Sequence, residues 1–382
     1  METTPVTPPF PPPPPSFAPP PPIAPAPAPK PRRSKGWMIT SIILMVLLVI
    51  CVFCIGGLLL FQTLALGRGL HADGFSTARE VGPKLEECIL VNGKSDNKIA
   101  VVRVDGVISE HQADGMGNSD VEVLKAELDR AAEDKHVKAV LLKVDSPGGE
   151  VLASDEIYKA LRSFQDESKK PVICSMGSLA ASGGYYIASS SRWIVANELT
   201  ITGSIGVIMH GWNYRGLMDK VGIAPMTFKS GKFKDMLSGE RATNEVPEEE
   251  HAMVQSLIDE TYGKFKDVVA AGRGAAHEQN KKEGKALASD WEDYADGRVV
   301  SGTQALKLGL VDELGNFDDA VARAQKLAGI KDADLIEYRQ HYDLSNFLSM
   351  FGQSGQSHDL KLNLGADLPK LHAGYMYFLY QP

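Results

Sequence analysis

The sequence predicts an α/β domain with a mostly parallel sheet, standing behind a single membrane-spanning helix. Three observations carry that prediction. Apolar runs of strand length (Ile99–Ile108, Val137–Val144, Pro171–Cys174, Trp193–Ala196) alternate with stretches of helical spacing such as Val121–Glu133 and Ser154–Phe164. Small-residue sequences follow two of the strands, at Asp145-Ser146-Pro147-Gly148-Gly149 and at Ser178–Gly184. Residues 36–67 contain no charged side chain at all.

Sixteen of the twenty-three prolines fall in residues 1–31. Proline fixes φ and removes a backbone donor, so residues 1–35 read as an extended, polyproline-like arm. The arm serves either as an unstructured tail or as a docking site for a proline-binding domain. The apolar run that follows, densest from Ile39 to Phe61, is long enough to span a bilayer core of about 20 helical residues. It is too long for the apolar region of a cleaved signal peptide, and neither Cys51 nor Cys54 follows a small residue as a lipoprotein site requires. Lys30, Arg32, Arg33 and Lys35 flank it on the N-terminal side. The positive-inside rule then leaves the N-terminus in the cytoplasm and everything after Arg68 outside it.

Residues 68–97 are weakly patterned and read as a connector. The domain proper, residues 98–339, begins with the Ile99 strand. Val121, Leu124, Leu128 and Ala131 give the next segment one apolar helical face. The Val137 strand ends in the Asp145–Gly149 turn sequence, the Ser154–Phe164 helix follows, and the Pro171 strand leads into a helix beginning near Tyr185. Trp193–Ala196 and Gly206–Met209 read as further strands, and Tyr214–Val221 as a short helix. Met226–Phe228 extends into a loop with lysines at 229, 232 and 234. Glu248–Ala271 is a long amphipathic helix, and shorter helices are expected at Gln304–Leu308 and Phe317–Leu327. The tail, residues 340–382, is Gly/Gln/Ser-rich at first, but Gly374–Leu379 is aromatic enough to dock on something.

The net charge is −8, and no basic stripe or nucleic-acid motif is present, which argues against a nucleic-acid partner. Four cysteines without a usable ligand spacing argue against a disulfide framework or a zinc site. No Walker A sequence occurs, and no cofactor is implied.

The nucleophile candidate is Ser182, where a buried strand passes through small residues into a helix. A serine there also fits an N-cap with glycines allowing close packing, and the two readings stand side by side. Gly-x-Ser-x-Gly is absent at Ser178, Ser182 and Ser204, so the α/β-hydrolase elbow is not supported. Of nine histidines, His210 after a strand is the best base candidate, although a polar loop residue is the simpler reading. Lysine is the alternative base. Its pKa must fall from about 10.4 to near 7–8, a shift of about 4 kcal/mol that demands burial. Lys229, Lys232 and Lys234 share one candidate loop, which reads equally as a solvated face. Backbone amides of Gly149 and Gly183, at adjacent ends of parallel strands, could together form an oxyanion hole.

Six motifs occur in order: Asp-Ser-Pro-Gly-Gly (145–149), Met-Gly-Ser-Leu-Ala-Ala-Ser-Gly-Gly-Tyr-Tyr (176–186), Thr-Gly-Ser-Ile-Gly-Val (202–207), Lys-Ser-Gly-x-x-Lys-Asp (229–235), Gly-Arg-Val-x-x-Gly (297–302) and Gly-Leu-Val-Asp-Glu-Leu-Gly (309–315). Together they resemble the signal peptide peptidase A family of membrane-bound bacterial serine proteases, over roughly residues 98–330. The resemblance implies a Clp-protease/crotonase-like fold and a Ser–Lys dyad. It carries the nucleophile to Ser182, the general base to Lys234 with Lys232 as fallback, and the lysine-orienting role to Ser204. The oxyanion donors fall on the amides of Gly149 and Gly183. One copy of each motif is similar to the short, single-domain form, in which neighbouring subunits of a homo-oligomer can share the dyad. The expected activity is endoproteolysis of remnant signal peptides or other short apolar peptides at the membrane lipid. The alternatives are a non-catalytic membrane assembly protein on the same fold and acyl-CoA chemistry, the latter at odds with an extracytoplasmic site.

Overall fold

The computed structural model describes residues 43–53, 82–110, 118–340 and 376–379. The chain divides into two compact units, Met1–Arg79 and Glu80–Pro382. Of the first unit, residues 43–53 are described, and they form a helix with every residue exposed. Among the described residues no helix is long and apolar enough to cross a membrane. The proline-rich arm and the remainder of the apolar run 36–67 lie outside the described residues.

The second unit is built on one mixed, mostly parallel sheet. Its main path is β1 (Leu85–Val91), β10 (Asp334–Gln340), β2 (Lys98–Ile108), β3 (Val137–Glu150), β4 (Val172–Ala181), β5 (Trp193–Ala196) and β9 (Glu313–Leu314). All neighbours along it are parallel except the β1–β10 pair at one edge. The strands read as near-continuous apolar runs because both faces of the sheet are covered. Successive side chains alternate between the faces. Val102, Val140, Leu142 and Cys174 join one core with α1 (Asp120–Glu133) and α2 (Val151–Ser168). Ile99, Val101, Leu141 and Ile173 join the other with Ala320 and Ala324 of α7 (Phe317–Ala328).

Helix α1 forms where the spacing places it, with Val121, Leu124, Leu128 and Ala131 all buried. Ser119 stops it by accepting the Glu122 amide, while Glu122 accepts the Ser119 amide in return, a capping box. The same helix also buries Glu127. Burial first, and the nearby Glu337 charge second, push its carboxyl from 4.5 up to about 8. An acid raised in this way favours the fold below pH 4.5, and that advantage is lost as pH rises through about 8. Glu127→Gln is therefore expected to match the wild type in thermal stability at pH 5 and to exceed it at pH 9, by up to about 4 kcal/mol. Identical melting profiles across that range would show that the carboxyl is not held in its neutral form.

Three departures from the sequence reading bear on the site. The stretch read as a connector, 68–97, contains β1. It is an edge strand whose side chains are mostly exposed, so it leaves no apolar periodicity to read. Asp145–Gly149 is not a free turn but the continuation of β3, because another strand supplies backbone partners to Gly148, Gly149 and Glu150. That strand is β11 (Met376–Leu379), from the aromatic end of the tail. Beyond these, Gly206–Met209 narrows to β7 (Ile208–Met209), and Ile201–Gly203 forms an unforeseen strand, β6, beside β4.

Candidate active site

Strand β4 ends at Ala181, and α3 (Gly183–Ala188) begins one residue later. Ser182 lies between them with φ 53° and ψ −117°, a conformation costly for a residue with a Cβ. Two backbone bonds hold it there: its amide donates to Gly203 and its carbonyl accepts from Tyr186, both at 2.8 Å. The side chain is almost completely buried, yet it makes no capping hydrogen bond to α3. The bond that an N-cap reading requires is therefore missing, and the hydroxyl is left for other work.

Strand β6 runs parallel to β4, pairing Ala180 with Thr202 and Ala181 with Gly203. One residue beyond that register stands Ser204, also at positive φ (51°), its amide donating to Arg298 at 2.8 Å. Ser182 and Ser204 consequently line one cavity of about 600 Å³. Its far wall is α5 (Glu248–Gln279), through Gln255, Ile258, Asp259 and Tyr262, and its rim includes Asp296 and Leu379. Asp296 is clamped by the Arg298 guanidinium at 2.5 Å, which holds its carboxyl down near 2. It remains ionised and is a poor proton acceptor at neutral pH.

The two glycines meet beside Ser182. Strands β3 and β4 stay paired as far as Ser146 and Ala180, then separate. Gly148 follows at φ 96°, and a methyl group there would fall 2.5 Å from the Gly183 amide nitrogen. A methyl on Gly183 would fall 3.0 Å from the Gly149 nitrogen and 2.7 Å from Ser154 Oγ. The amides of Gly149 and Gly183 thus converge on one small volume that any side chain would fill. Both tyrosines of the motif anchor α3: Tyr185 donates to the Leu310 carbonyl at 2.8 Å and Tyr186 to Asp155 at 2.7 Å.

The lysines are elsewhere. Lys229 pairs with Asp235 at 2.8 Å and Lys232 pairs with Glu249, while Lys234 is exposed. The Lys229 ammonium beside Asp235 holds that carboxyl below the usual carboxylate range. None of the three lines the Ser182 cavity, and its described lining contains neither lysine nor histidine. His210 is exposed, edge-on to Trp212, and lines a different cavity. One chain therefore brings Ser182, Ser204, Gly149 and Gly183 together and leaves Lys234 outside. Sequence reading missed the α5 wall, whose cavity-facing residues 255–262 carry no motif.

Residues 164–331 match the model of peptidase family S49. A Synechocystis protein named "Putative protease slr0021" is 43% identical over 240 residues, covering 63% of this chain and 77% of that protein. The "Putative signal peptide peptidase SppA" of Enterococcus faecium is 37% identical over 269 residues, covering 70% of this chain and 73% of its own length. Protease 4 of Haemophilus influenzae is 36% identical over 231 residues, 60% of this chain but 35% of that longer protein.

Proposed function

The chain belongs to peptidase family S49 and is a serine endopeptidase of the signal peptide peptidase A type, and on that premise we propose that it is a membrane-anchored enzyme whose Ser182 is activated by Lys234 of a neighbouring subunit. The observation that carries this reading is the cavity itself: a strained, uncapped Ser182 beside Ser204, with no basic side chain among its described lining. A serine hydroxyl needs a base to become a nucleophile at neutral pH. Lys234, exposed on its own chain, is free to reach into another copy. The segment before it exposes Trp212, Met226 and Phe228, the last at 89%. An apolar surface of that kind favours burial against a partner, and burial is also what lowers a lysine pKa toward 7–8.

In this reading Ser182 Oγ attacks the scissile carbonyl and Lys234 takes its proton, then returns it to the leaving amine. Ser204 orients the lysine. The Gly149 and Gly183 amides stabilise the oxyanion of the tetrahedral intermediate. The architecture supports a Clp-protease/crotonase-like assignment, since both donors stand at neighbouring ends of a mostly parallel sheet. Residues 36–67 anchor the enzyme with its N-terminus in the cytoplasm and its catalytic domain extracytoplasmic, beside its substrates in the membrane lipid. Those substrates are remnant signal peptides or other short apolar peptides.

Mixing is the decisive experiment. Homo-oligomers of Ser182→Ala and of Lys234→Ala are each expected to be inactive on an apolar peptide, and Lys232→Ala active. After dissociation and joint reassembly, a head-to-tail ring with one dyad per interface should recover about a quarter of wild-type activity. The recovered rate should rise with pH through a single ionisation near 7–8. Mixed oligomers that stay inactive would show that the dyad is not shared.

A further inference from the structure

Beyond Ser146 the β3 edge has lost β4, and across the gap lies β7. The chain's own β11 fills that gap. It pairs antiparallel with β3, with Tyr377 opposite Glu150, Phe378 opposite Gly149 and Leu379 opposite Gly148. On its other side it pairs antiparallel with β7, with Met376 opposite Met209 and Tyr377 opposite Ile208. A strand held by backbone bonds on both edges is how a sheet receives an extended peptide of any sequence; specificity then comes from side-chain pockets.

The register puts Phe378 at the reacting position. A methyl group on Gly148 would lie 2.0 Å from the Phe378 carbonyl oxygen and 2.5 Å from the Gly183 nitrogen. One on Gly183 would lie 3.0 Å from that same oxygen and 3.0 Å from the Gly149 nitrogen. The Phe378 carbonyl therefore points at the two glycine amides. Its ring is fully buried, stacked on Tyr186 at 4.9 Å and tilted against Phe265 of α5 at 4.6 Å. Leu379, on the other side of that carbonyl, lines the Ser182 cavity.

We propose that the C-terminal strand is a substrate seated in its own active site, with the Phe378–Leu379 bond presented to Ser182, and that the Tyr186–Phe265 pocket selects an aromatic or large apolar residue before the cut. The inference rests on Ser182 being the nucleophile. Ser182 Oγ adds to the Phe378 carbonyl carbon and its proton passes to the base. The Phe378–Leu379 C–N bond breaks, and the base returns the proton to the Leu379 nitrogen. Water then adds to the Phe378–Ser182 ester, and the ester bond breaks with a proton returning to Oγ. One water is consumed, leaving a chain that ends in the Phe378 carboxylate and a released peptide of residues 379–382. Tethering presents the segment at an effective concentration on the order of millimolar, so incoming peptides must compete with it.

Intact mass of the full chain, purified as the assembled enzyme, tests this directly. Wild type is expected to end at Phe378, and Ser182→Ala to retain residues 379–382. Phe378→Asp, a change in the tail alone, should leave the C terminus uncut and lower the apparent KM for an external apolar peptide by about tenfold, the gain from removing an occupant at millimolar effective concentration. Wild type should also cleave external peptides with Phe before the cut at least about tenfold faster than those with Asp there, since a charge pays to enter an apolar pocket. A preparation that hydrolyses external peptides while keeping residues 379–382 would overturn the proposal and leave Ser182 as nucleophile. Trimming to Phe378 in Ser182→Ala would overturn it too, by assigning the cut to another protease. A folded wild type that cleaves neither itself nor external peptides would instead overturn the assignment of Ser182, and this inference with it.

Discussion

Ser182→Ala is expected to reduce peptide hydrolysis by about 10⁴-fold or more, as loss of an acyl-forming serine does, while leaving the melting temperature within about a degree of wild type. The second half of that expectation comes from the backbone. Alanine keeps the Cβ and so the cost of φ 53°, and the hydroxyl it removes makes no capping bond. Ser182→Gly separates the two effects. Glycine adopts positive φ freely, so it should be equally inactive yet more stable than Ser182→Ala by about 1 kcal/mol, part of the strain of roughly 1–3 kcal/mol stored at such sites. A capping serine would behave in the opposite way: both substitutions would destabilise, alanine by about 1 kcal/mol, and activity would survive. Thermal melts of the three proteins, with peptide hydrolysis measured on the same samples, tell the two roles apart.

Much of this was legible before any coordinates. The alternation of Ile99–Ile108, Val137–Val144 and Pro171–Cys174 with helical spacings reads directly as a parallel sheet, because strands covered on both faces must be apolar throughout. Ser182, Ser204, Gly149 and Gly183 were findable because each sits in a small-residue motif at a strand end. Other parts of the site were hidden for physical reasons. The cavity wall on α5 is an ordinary amphipathic helix, and nothing in Gln255 or Tyr262 marks a helix face as a cleft wall rather than solvent-facing. The strand Met376–Leu379 is separated from its partner β3 by more than two hundred residues, so only its aromatic character hinted that it docks. Conversely, the loop lysines advertised themselves in sequence, yet one chain leaves Lys234 exposed. A pattern can nominate a base but does not say whose cavity it enters.

Asp312→Ala is expected to destabilise the domain by about 3–5 kcal/mol, which is the cost of leaving a buried charge without its partner. The partner is Arg273 of α5, whose Nη2 meets Asp312 Oδ1 at 2.6 Å with both side chains excluded from solvent. Arg273 also donates through Nε to the Gly309 carbonyl at 3.1 Å. Asp312 in turn accepts the amides of Ile194 at 2.9 Å and Lys285 at 3.2 Å. The carboxylate is thus the hub that ties α5 to β5 and to the 284–286 loop, and it explains the aspartate in Gly-Leu-Val-Asp-Glu-Leu-Gly. Arg273→Met should cost less than Asp312→Ala, since the stranded carboxylate keeps two backbone donors while the stranded guanidinium keeps one carbonyl. Replacing both, as Arg273→Met with Asp312→Asn, should recover part of the loss, because no buried charge remains and the asparagine oxygen still accepts a backbone amide. The consequence reaches the active site through the helix. Residues 255–262 of α5 form the cavity wall and Phe265 the floor under Phe378, so loosening the helix at residue 273 should raise KM for apolar peptides more than it lowers kcat. Denaturant melts of the single and double variants, paired with steady-state kinetics below their unfolding midpoints, measure both. Equal destabilisation by the singles and the double would show that the pair is uncoupled, and unchanged KM would show that the wall is held by packing alone.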